Sequence, residues 1–496
     1  VKQLVEHAKK WAGFRRHSER KLKKDDITIV DADAAKKAVV ATALGNAMEW
    51  FDFGIYSYLA VTIGKVFFSG VAGPLQIVYS FATFAVAFIV RPLGGMFFGR
   101  LGDKLGRKKI LTLTLTLMSL ATLSMGLIPG YATIGNLAPI LLLLARLVQG
   151  FSTGGEYSGA MTFIVESSPD KKRGFLSSGL EVGTLVGYIA GSGIVTVLSY
   201  MLGPDKMLDW GWRIPFFIAA PIGLIGLYLR NHLEETPVFE AMNEEKDNEK
   251  DKGVIKKVLT FHWPQLLKGM VLVLFFNVVD YMLLSYIPTY LNVVLGYGET
   301  KGLLLILIVM FIMIPIVLTM GYFSDRIGNK RLIMGGLIGI ILLSIPSLKM
   351  IGSGNNWIVF FGLMILAVLL ATFEATMPSM LPSLFFTEVR YVALAIAFNI
   401  SVSLFGGTTP LVTAWLIKVT GNKMVPAYYI MAACLIGIVT MFFVKETTGK
   451  ALRGSAPAVE EKHEIADILE DPQEALWWKE EKINIDEKAA ESENEK

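Results

Sequence analysis

Charge is scarce in this chain. Only 18% of its 496 residues are charged and 53% are hydrophobic, against about 25% charged in soluble domains. Too few charges remain to coat a water-facing surface. Mean hydropathy is +0.52 over the whole length, so the apolar excess is the bulk of the protein and the bilayer is its solvent. Cysteine is nearly missing as well: Cys434 stands alone in an apolar run, which excludes an intrachain disulfide and a cysteine-built metal site. The first 38 residues lack the apolar core beside a basic start that marks a secretory signal. No metal-ligand cluster, nucleophile motif or phosphate-binding loop occurs. These absences argue against an enzyme and against any metal or cofactor. A net charge of +4 and a pI near 8.8 reflect orientation in the membrane rather than a nucleic-acid partner.

What is present is a series of long apolar runs. A helix crossing a hydrocarbon layer of about 30 Å needs about 20 apolar residues, and twelve segments qualify: 39–63, 75–98, 110–128, 138–165, 175–201, 214–229, 268–295, 302–323, 332–351, 357–381, 393–419 and 426–444. Basic stretches at the N-terminal tail, Arg100 to Lys109, Lys171 to Arg173, 230–267 and Arg326 to Arg331 fall on one side if twelve helices alternate. That pattern puts both termini in the cytoplasm. The predicted organisation is an N-terminal tail (1–38), a six-helix bundle (39–229), a cytoplasmic linker (230–267), a second six-helix bundle (268–444) and a C-terminal tail (445–496). The C-terminal tail is polar and mostly acidic, is interrupted by Pro457 and Pro472, and reads as disordered. Trp477 and Trp478 offer the alternative of contact with the membrane interface.

A short loop occurs twice. After the second apolar run the chain reads from Gly99 through Asp103, Lys104, Gly106 and Arg107 to Lys109; after the eighth it reads from Gly321 through Asp325, Arg326, Gly328 and Asn329 to Arg331. Glycine allows close backbone approach, a carboxylate suits a helix N-terminus, and the basic residues keep the loop in the cytoplasm. Recurrence after the second helix of each half indicates internal duplication. The loop resembles the signature of the major facilitator superfamily, Gly-x-x-x-Asp-basic-x-Gly-basic-basic. The first copy matches it fully; the second has Asn329 where a basic residue is usual. The resemblance implies an all-α membrane protein of twelve transmembrane helices in two pseudo-symmetric bundles. It also implies a gating role for Gly99, Asp103, Arg107, Asp325 and Arg326.

Ionisable residues are costly inside a bilayer and usually face a cavity or a partner. Asn46, Glu49, Asp52 and Tyr56 recur at helical spacing on the first segment, beside Trp50. Arg91 ends the second segment; Arg146, Gln149 and Glu156 lie along the fourth, and Glu181 and Tyr188 along the fifth. Asp280, Glu374 and Asn399 mark the second half. Structural ion pairs of Arg91 or Arg146 with a carboxylate are one reading. Carboxylates outnumber these arginines about three to one, so pairing cannot absorb them all, and a protonatable acid near a substrate cavity is what proton coupling requires. Breaks are predicted at Gly154-Gly155 and at Gly406-Gly407.

The stretches Gly45 to Phe53, Arg91 to Gly95, Gln149 to Tyr157, Trp210 to Phe216, Ala395 to Asn399 and Pro426 to Tyr429 are similar to the metabolite:proton symporter family, most of all to its osmoregulatory proline/glycine betaine members. That similarity implies proton-coupled import of zwitterionic compatible solutes by alternating access. Relatives carry dicarboxylates, citrate or shikimate, so an organic-acid symporter is the alternative. A quaternary ammonium suits aromatic faces and carboxylates, and the acid-rich membrane region leans that way. Asp52 and Glu49, then Glu156, Glu181 and Asp280, are the candidates for proton coupling. Asn46, Trp50, Tyr56, Gln149, Tyr188 and Asn399 are those for the substrate, with Arg91 and Arg146 holding ion pairs or a substrate carboxylate. Asp280 stands in a stretch expected to lack an acid. The expected partners are a small solute, protons and the lipid of the cell membrane, with the monomer as the working unit.

Overall fold

The structure, a computed structural model, describes residues 27–105, 107–154, 156–232, 254–470, 476–479, 481–485 and 487. The predicted run Glu244 to Lys252 of the linker, most of the N-terminal tail and Gly106 lie outside them. The first half is built from α1 (Ala32–Tyr58), α2 (Gly73–Ile89), α3 (Arg91–Leu105), α4 (Arg107–Leu127), α5 (Leu137–Ser152), α6 (Glu156–Glu166), α7 (Arg173–Lys206) and α8 (Arg213–His232). The second half comprises α9 (Trp263–Asp280), α10 (Glu299–Ile327), α11 (Asn329–Ile351), α12 (Asn356–Ser383), α13 (Thr387–Ser401), α14 (Thr409–Thr420) and α15 (Val425–Phe442).

Among the described residues nine helices are long and apolar enough to cross a membrane. The segments at 39–63, 110–128 and 214–229 are helical too, but fall outside the nine. The first contains Asn46, Glu49 and Asp52, which depress its hydropathy, and only parts of the other two have described side chains. Solvent preference is inverted relative to a soluble protein. Leu342, Phe442 and Met201 face outward, while Arg91, Arg146 and Glu374 are buried. An apolar exterior of this extent is stable only in lipid.

Helix approach is set by small residues. A side chain at Gly183 or Gly187 of α7 would strike the α1 backbone at Ala43 or Ala47, so these two helices run nearly backbone to backbone. The predicted breaks occur. Helix α5 ends at Ser152 and α6 starts at Glu156, while a π-helical turn over Val402–Gly406 precedes α14. A second π-helical turn, Tyr281–Tyr286, begins directly after Asp280.

The C-terminal segment departs from the expectation of disorder. Strand β1 (Thr28–Ile29) pairs in parallel with β2 (Ala458–Val459), bringing both ends of the described chain to one end of the molecule. Lys171 pairs with Glu464 at 3.0 Å and Lys172 pairs with Glu460. Arg453 lies over the Trp477 ring at 4.7 Å and donates to Glu481 at 2.5 Å. Trp477 donates to the Ala451 carbonyl at 2.9 Å, and Trp478 packs edge-on against Phe386. Mean polarity hides this docking. A few aromatic, arginine and carboxylate side chains, together with the small apolar cluster of Ile27, Val459 and Ile465, hold the segment in place.

Candidate functional site

The acids of α1 sit in a polar network with arginine, threonine and glutamine. Glu49 pairs with Arg91, which also faces the Thr153 carbonyl at 3.5 Å. Asp52 accepts from Thr122 of α4 at 2.9 Å. Thr122 in turn accepts from Gln149 at 3.0 Å, and Gln149 accepts from Arg146. Arg146 also donates to the Phe84 carbonyl at 3.0 Å and lies 4.3 Å from the Tyr56 ring centroid. Tyr56 donates to the Ser80 carbonyl at 3.1 Å. Every partner in this chain of contacts belongs to the first half. Pairing a buried guanidinium with carboxylate, amide and ring faces offsets its desolvation.

A second network lies at the seam between the halves. Asn46 donates to Thr184 at 2.6 Å and to the Leu180 carbonyl at 3.0 Å. Thr184 donates to Glu181 at 2.9 Å, and Tyr157 donates to the other Glu181 oxygen. Trp50 is ringed by Tyr188, Tyr281 and Tyr157, at centroid distances of 5.3, 5.7 and 6.4 Å. Tyr157 stacks at 4.6 Å on Phe398 of α13. Ser57 donates to the Ser285 carbonyl at 2.9 Å, the Tyr188 hydroxyl meets the Ser285 hydroxyl at 3.3 Å, and Asn399 donates to the Gly154 carbonyl at 2.6 Å. The Glu156 side chain is only half-buried at the start of α6.

Asp280 and Glu374 are buried in the second half. Neither has a hydrogen-bond or ion-pair partner among the described residues, and both Glu374 oxygens are sealed from solvent. Asp280 and Glu374 lie within electrostatic reach of each other and of Glu181.

The predicted site residues therefore divide. Asp52, Glu49, Tyr56, Gln149, Arg91 and Arg146 form one group inside the first half. Asn46, Trp50, Glu181, Tyr188, Asp280 and Asn399 gather at the seam. Thr122 was not legible, because a mid-helix threonine in an apolar run has no distinguishing spacing. Tyr157 and Tyr281 carried a signal as polar aromatics beside Glu156 and Asp280, but were given no role.

At the end of the molecule that carries strands β1 and β2, Asp325 accepts from the backbone N–H groups of Gly174 and Phe175, at 2.7 and 2.8 Å. A carboxylate from α10 thus caps the first turn of α7 across the halves. The helices approach closely enough for this because Gly174 and Gly321 leave room that a Cβ would fill. Arg390 of α13 donates to Glu166 of α6 at 2.5 Å, a second link across the same face. Arg326 lies over Tyr322 at 4.2 Å. Gly328 has φ 106°, which favours glycine at the α10–α11 corner. Asn329 is buried and donates to Ser379 at 3.1 Å, which accounts for a neutral amide in place of the usual cation. Of the first copy, the surroundings of Gly99, Asp103 and Arg107 lie outside the described residues.

A polar seam between the first and second halves of the chain, inside an apolar exterior, is the build of a membrane transporter. Residues 42–407 match the Major Facilitator Superfamily, and the chain belongs to that family; it is a secondary active transporter, not an enzyme. It is 49% identical over 458 residues to the "Putative proline/betaine transporter" of Staphylococcus haemolyticus, covering 92% of this chain and 97% of the relative. It is 48% identical to the "Glycine betaine/proline/ectoine/pipecolic acid transporter OusA" of Dickeya dadantii, covering 90% of each. It is 47% identical to the "Proline/betaine transporter" of Salmonella typhimurium, again over 90% of each. Among solved structures, the proton:xylose symporter XylE bound to a bromo-deoxyglucose superposes with a TM-score of 0.67 at 17% identity, covering 85% of this chain and 98% of that one. This last likeness speaks to the fold alone.

Proposed function

We propose that the chain is a proton-coupled symporter that imports zwitterionic compatible solutes, proline and glycine betaine among them. Transport proceeds by alternating access between two six-helix bundles (39–229 and 268–444), with both termini in the cytoplasm and the monomer as the working unit. The observation that carries the reading is the aromatic wall of Trp50, Tyr157, Tyr188 and Tyr281 beside acids that have no arginine partner. That chemistry suits a quaternary or secondary ammonium and opposes a dicarboxylate. The names of the three relatives agree with it.

In this reading Asp52 is the first choice for the coupled proton. Glu49 already faces Arg91, whereas Asp52 is held by a neutral threonine, so its proton occupancy can change without breaking a direct ion pair. Substrate and proton then favour each other by linkage. Asp325 and the Arg390–Glu166 pair steady the cytoplasm-closed state and must separate for release inward. Proteoliposome uptake of labelled glycine betaine, proline and 2-oxoglutarate under an imposed proton gradient tests the reading. Gradient-driven accumulation of the first two is expected; oxoglutarate uptake without betaine uptake would overturn it in favour of the organic-acid alternative.

A further inference from the structure

Glu374, with Asp280, is an acid whose burial the networks described above leave unexplained. It lies on α12, fully buried, with neither carboxylate oxygen hydrogen-bonded among the described residues. The charged groups acting on it are Asp280 and Glu181, both acids. The buried arginines Arg91, Arg146 and Arg390 are engaged elsewhere, Arg91 on Glu49, Arg146 on Gln149 and the Phe84 carbonyl, and Arg390 on Glu166. A buried carboxylate grouped with others and lacking a cation is unstable unless something positive joins it.

Two further polar groups are left open in the aromatic cluster that Tyr157 joins to these acids. The Trp50 indole N–H and the Tyr281 hydroxyl are buried without partners, although their rings lie only 5.7 Å apart. Tyr281 follows Asp280 directly and opens the π-helical turn Tyr281–Tyr286, a distortion that recurs at functional sites. The surrounding groups come from both halves: Trp50 from α1, Tyr157 from α6, Glu181 and Tyr188 from α7, Asp280 from α9 and Glu374 from α12.

We infer that Glu374 and Asp280 form the anionic seat for the cationic headgroup of the solute, with the rings of Trp50, Tyr157, Tyr188 and Tyr281 as its wall. The inference rests on the functional reading above and deepens it. A quaternary ammonium gains from the ring faces and the carboxylates together, while the Trp50 N–H and Tyr281 O–H are neutral donors suited to the solute carboxylate. A zwitterion therefore matches the acids and these two donors together, whereas a dianion would meet like charge. Because the seat draws on both halves, a bound solute ties them together.

The test uses the full chain, purified and reconstituted. Tetramethylammonium, a cation with no carboxylate, should raise the melting temperature of the wild type and compete with betaine in gradient-free counterflow. Glu374→Gln should abolish that thermal shift and raise the counterflow KM for betaine at least about tenfold, about 1.4 kcal/mol, and Glu374→Asp should recover part of it. Should the glutamine variant fail to fold, Asp280→Asn gives the same comparison. An unchanged tetramethylammonium shift and KM in a folded variant overturns the seat. So does a variant that loses gradient-driven accumulation yet keeps the counterflow KM, since Glu374 would then carry a proton instead. Lack of betaine counterflow by the wild type overturns the functional reading, while the tetramethylammonium shift still tests the seat.

Discussion

The two halves bury the same residue type on opposite terms. Glu49 and Asp52 of α1 lie among arginine, threonine and glutamine partners that all belong to the first half. Asp280 and Glu374 sit at the seam with no such partner. Burial alone therefore does not assign a role to an acid in a membrane helix. What separates them is the partner: a resident guanidinium for Glu49, a neutral hydroxyl for Asp52, and none for Glu374 among the described residues.

The sharpest way to break this division is at Asp52. Asp52→Asn should abolish uphill accumulation of betaine while leaving counterflow intact, because the amide keeps the Thr122 contact and loses only the ionisable proton. Retained gradient-driven accumulation would move the coupling site elsewhere. Next in size is the framework pair. Arg91→Met removes the cation facing Glu49 in a dry interior and should cost about 3–5 kcal/mol, read from the melting of the purified protein. The double variant Glu49→Gln/Arg91→Met should regain most of that loss. If the single variant melts like the parent, Glu49 does not belong to the framework.

Much of the architecture was legible because lipid imposes a coarse rule. Runs such as 75–98, 302–323 and 332–351 map onto helices Gly73–Phe98, Glu299–Ile327 and Asn329–Ile351, since only a helix satisfies its backbone there. The run 39–63 was placed as a helix from its apolar length, although its polar residues keep it outside the nine; the spacing of Asn46, Glu49, Asp52 and Tyr56 showed only that they share a face. Partnership was harder to read. Spacing placed Arg91 and Glu49 on different helices without showing that they meet, and the resemblance gave Asp325 a gating role without its target on α7. The docked C-terminal segment was missed because its contacts, such as Arg453 with Trp477, join residues whose local sequence is merely polar.

The Asp325 cap on α7 is of intermediate strength, since its carboxylate is matched by backbone N–H groups rather than by a cation. Asp325→Ala removes the cap from Gly174 and Phe175 and should destabilise by about 0.5–2 kcal/mol. Asp325→Asn should lose less, because the amide oxygen still accepts one N–H. Melting of both variants checks the order; equal melting of the alanine variant and the parent would show that the α7 terminus is not held by this contact.

The smallest effect belongs to the pair nearest water, Arg453 and Glu481. Burial alone would raise the Glu481 carboxyl, but Arg453 and the Gln265 amide together hold it below its ordinary value. A carboxyl depressed in the folded state contributes stability that is fully present above its unfolded value of about 4.3 and fades as pH falls through the folded one. Solvent screening limits that contribution to below about 1 kcal/mol. The stability difference between the wild type and Glu481→Gln should then be constant from neutral pH down to about 4.5 and shrink below it. A difference that grows on acidification would have the wrong sign for a paired carboxylate, and would place Glu481 with the open acids of the seam.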